Sequence, residues 1–396
     1  MGGKIRSALR LCAALACAAA LAAAQGEADV VRIYLAEDAL RGETARQLLA
    51  LLEGEMPQVQ WQMIGEGEAG SLRELVMAGS PPDLAICAPE EARPWAKEGL
   101  LAPLHARVPG QARMQRQALD LCVLEEGLFM APLIARHRQM AVNSASFTAV
   151  QMDDLLSRRA YPVWYPAQFQ QVIEEFAFSE QLALEIWPPE PETSAALEAM
   201  TQAIYGGELL DEEGEVCLAA QEEMVLGVRW LRDLAACGLI GMAKSRDDAL
   251  EHFLSGETAI FIDWTELEAL RQEARLHQSG MDVVSVPYPA SSGLPVRSFE
   301  LTGLCVFRGG AGEKPALDAA EFICSDERAQ ALLGSRGIWQ DDSVWLQSLG
   351  SAQRGATLRA LFARALGDVL AQKRSPDAAM ALVSAAMEAA RQAEGE

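Results

Sequence analysis

Residues 81–104 have the sequence PPDLAICAPEEARPWAKEGLLAPL, and this stretch decides the fold class of the chain. The two leading prolines end the preceding helical pattern, and the short apolar run 84–87 is typical of a buried strand in a parallel sheet. A helix is predicted from about Pro94 to Gly99, because glycine readily adopts the left-handed conformation that follows a helix end. The stretch therefore predicts a strand, a loop and a helix of an α/β sheet.

The first strand lies nearer the N-terminus, where the β-rich run VVRIYLA covers residues 30–36. A helix over 43–56 follows it, with apolar residues at helical spacing. In open α/β sheets, ligands bind beyond the carboxyl ends of the strands. At the end of the strand 84–87, Cys87, Ala88, Glu90 and Glu91 are therefore predicted to line a ligand crevice, and Glu37 and Asp38 directly follow the first strand.

A glycine-rich segment, GEGEAG at 65–70, matches the G-x-G-x-x-G pattern of dinucleotide-binding loops. Glu66 and Glu68 argue against that function, since they place two carboxylates where a pyrophosphate needs bare N–H groups. A flexible turn before a helix is favoured, with Ser71 and Glu74 forming a capping box. Glu66 remains a candidate for the ligand cleft.

The N-terminus has the pattern of an export signal at residues 1–24. Three basic residues precede the apolar run 11–21, and the A-x-A pattern of a cleavage site follows. The run is too short to span a bilayer, which needs about 20 apolar residues. Cleavage near Ala24 is favoured, although the residues before Cys17 resemble a lipoprotein box, so a lipid anchor at Cys17 stays open.

Length and composition limit the function classes. A chain of 396 residues predicts two lobes rather than one core. The formal net charge is −23, and the signal holds three basic residues but no acidic one, so the mature chain is more acidic still. Such a surface repels nucleic acid and anionic lipid.

The sequence lacks the patterns of enzymes and metal sites. It has no HExxH, no GxSxG and no P-loop lysine, and its four histidines lie in separate segments. The six cysteines that follow the signal are widely spaced, without metal-ligand spacing. They are interpreted as core thiols, with a disulfide left open. We therefore predict a protein that is not an enzyme, with no catalytic residue, no metal and no cofactor.

The second half of the chain continues the α/β pattern. Helices are predicted over 192–205 and 220–237, and short strands over 259–263 and 299–307. The C-terminal part from Pro315 onward is predicted to be helical. A second lobe of sheet and helices follows from this pattern.

Five segments in order resemble the extracellular solute-binding proteins (family 1) of ABC importers, in the carbohydrate-binding branch that includes maltose-binding protein. They are PDL…EGLLAPL (82–104), GLFMAP…AVNSASF (127–147), IYGGELLDEEGEVCL (204–218), FLSGETAIFIDW (253–264) and ALDAAEFICSDERAQALLGSRGI (316–338). The resemblance covers almost all of the mature chain.

The resemblance implies an α/β fold of the two-lobe, type II periplasmic-binding-protein class, in which each lobe is a sheet flanked by helices. The expected boundaries are an N-terminal lobe of 28–139 plus 265–305, a C-terminal lobe of 142–262 plus 310–396, and hinge crossings near 140, 263 and 307.

The resemblance also implies candidate ligand residues, among them Glu37 and Asp38 in the loop after the first strand. Trp264 matches a position where relatives often place a stacking aromatic ring. Arg136 and His137 lie in the hinge stretch, where an arginine either attracts a carboxylated ligand or pairs with Glu90 or Glu91, and pairing is favoured. The other candidates, each with an alternative place in the core or at the rim, are Trp164, Trp187 and Trp339. Trp61, Trp95 and Trp230 are predicted to be core residues.

The implied mechanism is capture of a small solute, a sugar or oligosaccharide, by hinge closure. Sugars suit such a cleft because their C–H faces stack on aromatic rings while their hydroxyls pair with polar groups. A monomer in the periplasm or at the outer face of the membrane would then deliver the solute to a membrane permease. Two alternatives stay open: a non-sugar solute, such as a polyamine, metal chelate, carboxylated or phosphorylated compound or peptide, and a sensor without transport.

Overall fold

A computed structural model describes most of the chain after the predicted signal. The described residues are 30–36, 39–40, 42–124, 127–157, 164–191, 193–211, 216–264, 267–277, 281–333, 338, 344–347 and 353–394. Glu37, Asp38, Trp339 and the predicted signal with Cys17 lie outside them. Strands and helices alternate along the chain, which confirms the predicted α/β class.

The strands are β1 (Val30–Leu35), β2 (Gln60–Gly65), β3 (Leu84–Cys87), β4 (Val123–Leu124), β5 (Gly127–Leu128), β6 (Ala131–Asn143), β7 (Leu182–Ile186), β8 (Gly241–Met242), β9 (Thr258–Trp264), β10 (Val283–Val286), β11 (Val296–Val306) and β12 (Val344–Gln347). The α-helices are α1 (Gly42–Glu55), α2 (Glu66–Ala69), α3 (Leu72–Met77), α4 (Pro89–Lys97), α5 (Arg116–Asp120), α6 (Ser144–Ala149), α7 (Asp154–Ser157), α8 (Pro166–Phe178), α9 (Ala195–Tyr205), α10 (Glu222–Ala236), α11 (Arg246–Ser255), α12 (Leu267–His277), α13 (Glu313–Ser325), α14 (Glu327–Leu333), α15 (Gln353–Leu370) and α16 (Pro376–Glu394). A short 3-10 helix covers Gln111–Arg113.

The chain divides into two compact units, each built from two stretches of sequence. Unit 1 contains the residues up to Ile134 and those from Thr302 to 338, and unit 2 contains Ala135–Leu301 and the C-terminal stretch that holds α15 and α16. Two of the divisions therefore fall inside strands, one in β6 and one in β11. The third, after residue 339, lies outside the described residues.

These boundaries differ from the expected lobes at two segments. The described residues of 265–301 belong to unit 2, because β10 pairs with β6 and α12 packs against β10. Helices α13 and α14 belong to unit 1, because α14 packs on α1 and its Arg328 contacts Glu55 at 3.3 Å. The chain therefore does not change units near residue 263, and the strand predicted there, β9, lies inside unit 2.

Unit 1 contains a sheet of three parallel strands and one antiparallel strand. Its order is β2, β1, β3 and the last residues of β11, with Ile33 opposite both Met63 and Leu84, and Leu304 opposite Ile86. All of β3 is buried, which explains its continuous apolar sequence. The opening stretch thus supplies a central strand of this sheet.

Asp83, directly before β3, connects three segments of unit 1. Its carboxylate accepts the amide of Arg32 at 2.8 Å, and its carbonyl oxygen accepts the amide of Phe307 at 3.0 Å. The same carboxylate lies so close to Gly312 that a Cβ there would be 2.4 Å from Oδ1. This aspartate therefore holds the start of β3 to β1 and to the loop after β11.

Unit 2 contains the sheet order β10, β6, β9, β7, β8. Strand β6, which also neighbours β11, is antiparallel to β10 and β9, whereas β7 is parallel to β9 and β8. Helix α9 is buried along almost its whole length, and α10 packs against it so closely that a Cβ on Gly227 would lie 2.0 Å from the carbonyl oxygen of Thr201. Glu198 of α9 is buried too, and Arg359 of α15 approaches its carboxylate at 3.9 Å.

Most predicted elements are present, but their bounds differ in instructive places. The capping box of Ser71 and Glu74 is confirmed at the start of α3. The GEGEAG segment is not only a turn, since Glu66–Ala69 forms one helical turn directly after β2. Helix α4 starts at Pro89, since a proline is tolerated at the first helical position, where its missing N–H would have no partner. The helix also contains Pro94, at the cost of one backbone hydrogen bond. Strand β12 interrupts the C-terminal region that was predicted to be helical.

Candidate functional site

The carboxyl ends of β1, β2 and β3 meet at one edge of the unit 1 sheet, because the three strands are parallel. Glu66 follows β2 directly, and Glu90 and Glu91 lie in the first turn of α4 after β3. All three side chains are half-buried. The structure therefore brings these predicted site residues to a common edge, which we call the acidic edge.

Tyr34 of β1 lies near two of these acids, Glu66 and Glu91. Its buried hydroxyl accepts the backbone amide of Leu72 at 3.0 Å, which joins β1 to α3. Burial raises the pKa of Tyr34, and the negative charges of Glu66 and Glu91 raise it further. Both carboxylates therefore act on the same side chain beneath the acidic edge.

The Cys87 side chain points into the interior and not toward the surface. Its side chain is 0% exposed, in the interior of unit 1. A hydrogen bond with the Cys305 thiol raises the pKa of Cys87, and burial raises it further. The side chains of β3 alternate between two buried faces, so the last residue of the strand points inward. Cys87 is a core thiol here, which corrects its predicted place among the lining residues.

The hinge residues Arg136 and His137 are half-buried in β6. They lie on opposite faces of the strand, because successive side chains alternate. Arg138, which the sequence analysis did not select, lies on the same face as Arg136 and bonds the Asp263 carboxylate. It also donates to Glu300 at 3.0 Å. The pairing of Arg136 with Glu90 or Glu91 stays a prediction.

Asp263 carries two guanidinium partners. Arg138 bonds its Oδ1, and Arg246 of α11 bonds its Oδ2, while the carboxylate is only 4% exposed. Burial opposes the charge on Arg138, but Asp263 and Glu300 outweigh that effect, so the pKa of the guanidinium is raised. This buried cluster fixes the end of β9, and we call it the Asp263 cluster.

A β-bulge lies at the same place. Ala141 faces Phe261 and Gln139 faces Trp264, so the single residue between them on β6 faces two residues of β9. The carbonyl of Ile262, one of those two, accepts the Tyr288 hydroxyl at 2.8 Å. Bulges redirect side chains and are common beside binding sites. The bulge, held by the Asp263 cluster, sets the direction of Trp264.

Trp264 is the predicted site residue whose surroundings best fit a ligand contact. It ends β9 and is 9% exposed. Its indole N–H is buried, and within the part of the chain that the structure describes it has no hydrogen-bond partner, which is also true of the Trp61 and Trp164 N–H groups. Trp264 differs from those two in that it ends a strand beside the bulge. A buried donor without a partner is costly, so a ligand oxygen that accepted this N–H would be stabilised.

Trp187 and Trp164 are interior residues of unit 2. The Trp187 ring stacks on Phe261 at 5.9 Å, and its N–H donates to the Thr193 carbonyl at 3.0 Å. Trp164 is stacked between two phenylalanines, with Phe147 at 5.7 Å on one side. Both indoles are almost fully buried, so the core alternative describes their place in this structure.

Other classes of site have little support in the described residues. Within the ranges given above, no group of three or more His, Cys, Asp or Glu side chains could hold a metal ion. Among those same residues, no helix is long and apolar enough to span a membrane.

The fold of the chain, with two units that each contain a sheet flanked by helices, is that of the type II periplasmic-binding proteins. No model of a protein family matches the chain, and no curated protein matches its sequence.

Several solved structures share this fold. The sugar-binding protein MalE from Xanthomonas citri matches with a TM-score of 0.74 and 13% identity, over 92% of this chain and 98% of its own. The cyclic alpha-maltosyl-1,6-maltose binding protein from Arthrobacter globiformis matches with a TM-score of 0.71 and 15% identity, over 91% and 98%. An ABC substrate-binding protein from Listeria monocytogenes, solved with cycloalternan, matches with a TM-score of 0.66 and 12% identity, over 92% and 99%. These similar structures are binding proteins, and at this level of identity the likeness establishes the fold.

Proposed function

We propose that this protein is the exported substrate-binding component of an ABC import system and that its solute is a sugar or oligosaccharide. The observation that carries the proposal is the agreement in fold over nearly the whole length of sugar-binding proteins, up to a TM-score of 0.74. The proposal includes a monomer that captures the solute by closure of its two units and delivers it to a membrane permease.

The chemistry of the two candidate regions supports this ligand class. Trp264 offers an aromatic ring with an unmet indole donor, and the acidic edge offers carboxylates that accept hydroxyl protons. Sugars combine an apolar C–H face with many hydroxyls, so they need both kinds of group. Glu66, Glu90, Glu91 and Trp264 are the residues we propose to contact the solute, with Arg136 and His137 as further candidates.

A polyamine is the second candidate ligand. The three carboxylates of the acidic edge favour it, since they would attract a cation on a chain that is already strongly acidic. A polyamine would not need a donor such as the Trp264 N–H, but the Trp264 ring also attracts a cation. Direct titration with each ligand therefore separates the two ligand classes.

The test is calorimetric titration of the purified exported protein with maltose, maltotriose, a cyclic maltooligosaccharide and spermidine. For a sugar we expect a dissociation constant of roughly 1 μM, which corresponds to about −8 kcal/mol. Trp264→Ala should weaken sugar binding at least about tenfold, because it removes the ring and its donor. The matched control is Trp95→Phe, a core tryptophan of unit 1, which should bind as the wild type does.

Binding of spermidine with no binding of any sugar would overturn the sugar proposal and favour the polyamine. Export is tested separately by mass spectrometry of the mature N-terminus. A start near Gln25 supports plain cleavage, whereas an acylated Cys17 supports a lipid anchor.

A further inference from the structure

A surface groove of unit 2 has no part in the function proposed above. It is lined by residues of α8, of α10 and of the C-terminal end of α9, among them Gln170, Tyr205, Leu226, Arg229, Trp230 and Asp233. Its volume is about 270 Å³. That is close to the lower limit of ~300 Å³ for small-molecule sites. We call it the Trp230 groove.

Helix α10 is apolar on two faces, and one of them forms the groove. Met224, Val228 and Leu231 are buried against the core of unit 2. Leu226 and Trp230, spaced by one helical turn, line the groove and are only half-buried. Trp230, predicted to be a core residue, therefore presents part of its ring to the surface.

Two aromatic side chains form walls of the Trp230 groove. The Trp230 ring packs against the buried ring of Phe169, with centroids 5.9 Å apart and planes tilted by 36°. This contact fixes the orientation of the Trp230 ring. Tyr205 ends α9 and is half-buried as well. In the described part of the chain, neither the Trp230 N–H nor the Tyr205 hydroxyl makes a hydrogen bond, and neither atom is buried. Both polar tips are therefore available to a ligand.

The charges at the groove are already balanced. Arg229 donates through Nη2 to Asp377 at 3.1 Å. Arg232 donates to Oδ1 of Asp233, a residue that lines the groove, through both Nε at 2.8 Å and Nη2 at 2.5 Å, which leaves Oδ2 as a further acceptor. The groove thus offers hydrogen-bonding atoms without a net charge, so it suits a neutral ligand better than an ion.

From these features we infer that the Trp230 groove is a second carbohydrate site, which binds one ring of a neutral sugar outside the main solute site. A sugar ring has the apolar face that the Trp230 and Tyr205 rings can cover and the hydroxyls that Asp233 and Arg229 can pair with. The inference shares its ligand class with the proposed function, and its test is designed to separate the two.

The experiment is a fluorine NMR titration of the full exported chain labelled with 5-fluorotryptophan. Trp230→Phe and Trp264→Phe assign the two signals. Maltotriose is added to about 10 mM, which is tenfold above a weak dissociation constant of ~1 mM. We expect a saturable shift of the Trp230 signal at a higher sugar concentration than the shift of the Trp264 signal.

Two variants define the site. Tyr205→Ala should weaken the Trp230 response about tenfold, because it removes one aromatic wall and its hydroxyl. Phe178→Ala is the matched control, since Phe178 is an exposed aromatic residue of α8 that does not line the groove, and it should leave the response unchanged.

The outcomes are distinct. If the Trp264 signal moves and the Trp230 signal does not, the second site is refuted and the proposed function stands. If the Trp230 signal moves alone, the groove is a sugar site and Trp264 is not. If neither signal moves with maltotriose, and none with maltose or the cyclic maltooligosaccharide added in the same way, both proposals fail. A Trp230 shift that depends on protein concentration rather than on sugar would assign the groove to a second copy of the chain and overturn the inference.

Discussion

Replacement of Asp263 by asparagine is expected to destabilise unit 2 strongly. The carboxylate is 4% exposed and bonds two guanidinium groups, one on β6 and one on α11. Removal of one partner from a buried ion pair costs about 3–5 kcal/mol, because the remaining charges stay buried without compensation. In the variant, Arg138 retains its ion pair with Glu300, and the Arg246 guanidinium retains its contact with the Phe261 ring at 5.4 Å. We therefore expect the lower end of that range, about 3 kcal/mol.

The assay is urea unfolding of Asp263→Asn, read by hydrogen exchange of peptides from β6 and β9 so that unit 2 is followed by itself. For a unit of this size, the expected loss corresponds to a fall in melting temperature of roughly 6–12 °C. Asp247→Asn is a matched control, since Asp247 contacts the same Arg246 at 3.3 Å but is 90% exposed. Exposed ion pairs contribute little, so this variant should be nearly as stable as the wild type. Equal destabilisation by the two variants would refute the argument from burial.

Two further predictions concern unit 2, and a third concerns unit 1. The hydrogen bond with Glu185 raises the pKa of His252 above its ordinary value of 6.5, so the bond stabilises the folded chain fully below pH 6.5 and is lost as pH rises through the raised pKa. His252→Gln should remove this pH dependence in thermal unfolding measured across that range. Gly227→Ala should cost about 1–3 kcal/mol in urea unfolding, because the new methyl would meet the Thr201 carbonyl oxygen. Gly54→Ala, a helical glycine with open space, should be neutral or stabilising by about 0.5–1 kcal/mol.

Each of these has a result that contradicts it. A wild-type stability that rises through the same pH range relative to His252→Gln would show that the histidine is not held in its charged form. Equal stability of Gly227→Ala and Gly54→Ala would show that α9 and α10 move apart at no cost in free energy.

Local patterns in the sequence were sufficient for most elements of the fold. The apolar run before Cys87 and the capping box of Ser71 and Glu74 depend on neighbours a few residues away, so the sequence alone predicts them. The start of α4 at Pro89 was missed, because a proline breaks a helix or begins one according to its position. Between 265 and 301 the division into compact units differs from the expected lobes, since it depends on which distant strand β10 pairs with.

The candidate site was less predictable. Glu66 and Glu91 meet at one edge because parallel strands end together, which the sequence indicates. The Asp263 cluster was not found, since Arg138 and Arg246 are only two of many arginines until β6, β9 and α11 are placed together. No local signal distinguishes the inward direction of Cys87 from that of a lining residue.

The pairing of β3 with the end of β11 has a consequence for folding during synthesis. During translation, the buried strand of the opening stretch emerges with one neighbour, β1, whereas its other neighbour is made only after the first stretch of unit 2. Contacts between such distant segments form slowly. A nascent N-terminal half therefore exposes an apolar strand edge, which is a template for aggregation and a surface that chaperones bind. The connectivity of this chain therefore keeps unit 1 incomplete for most of translation.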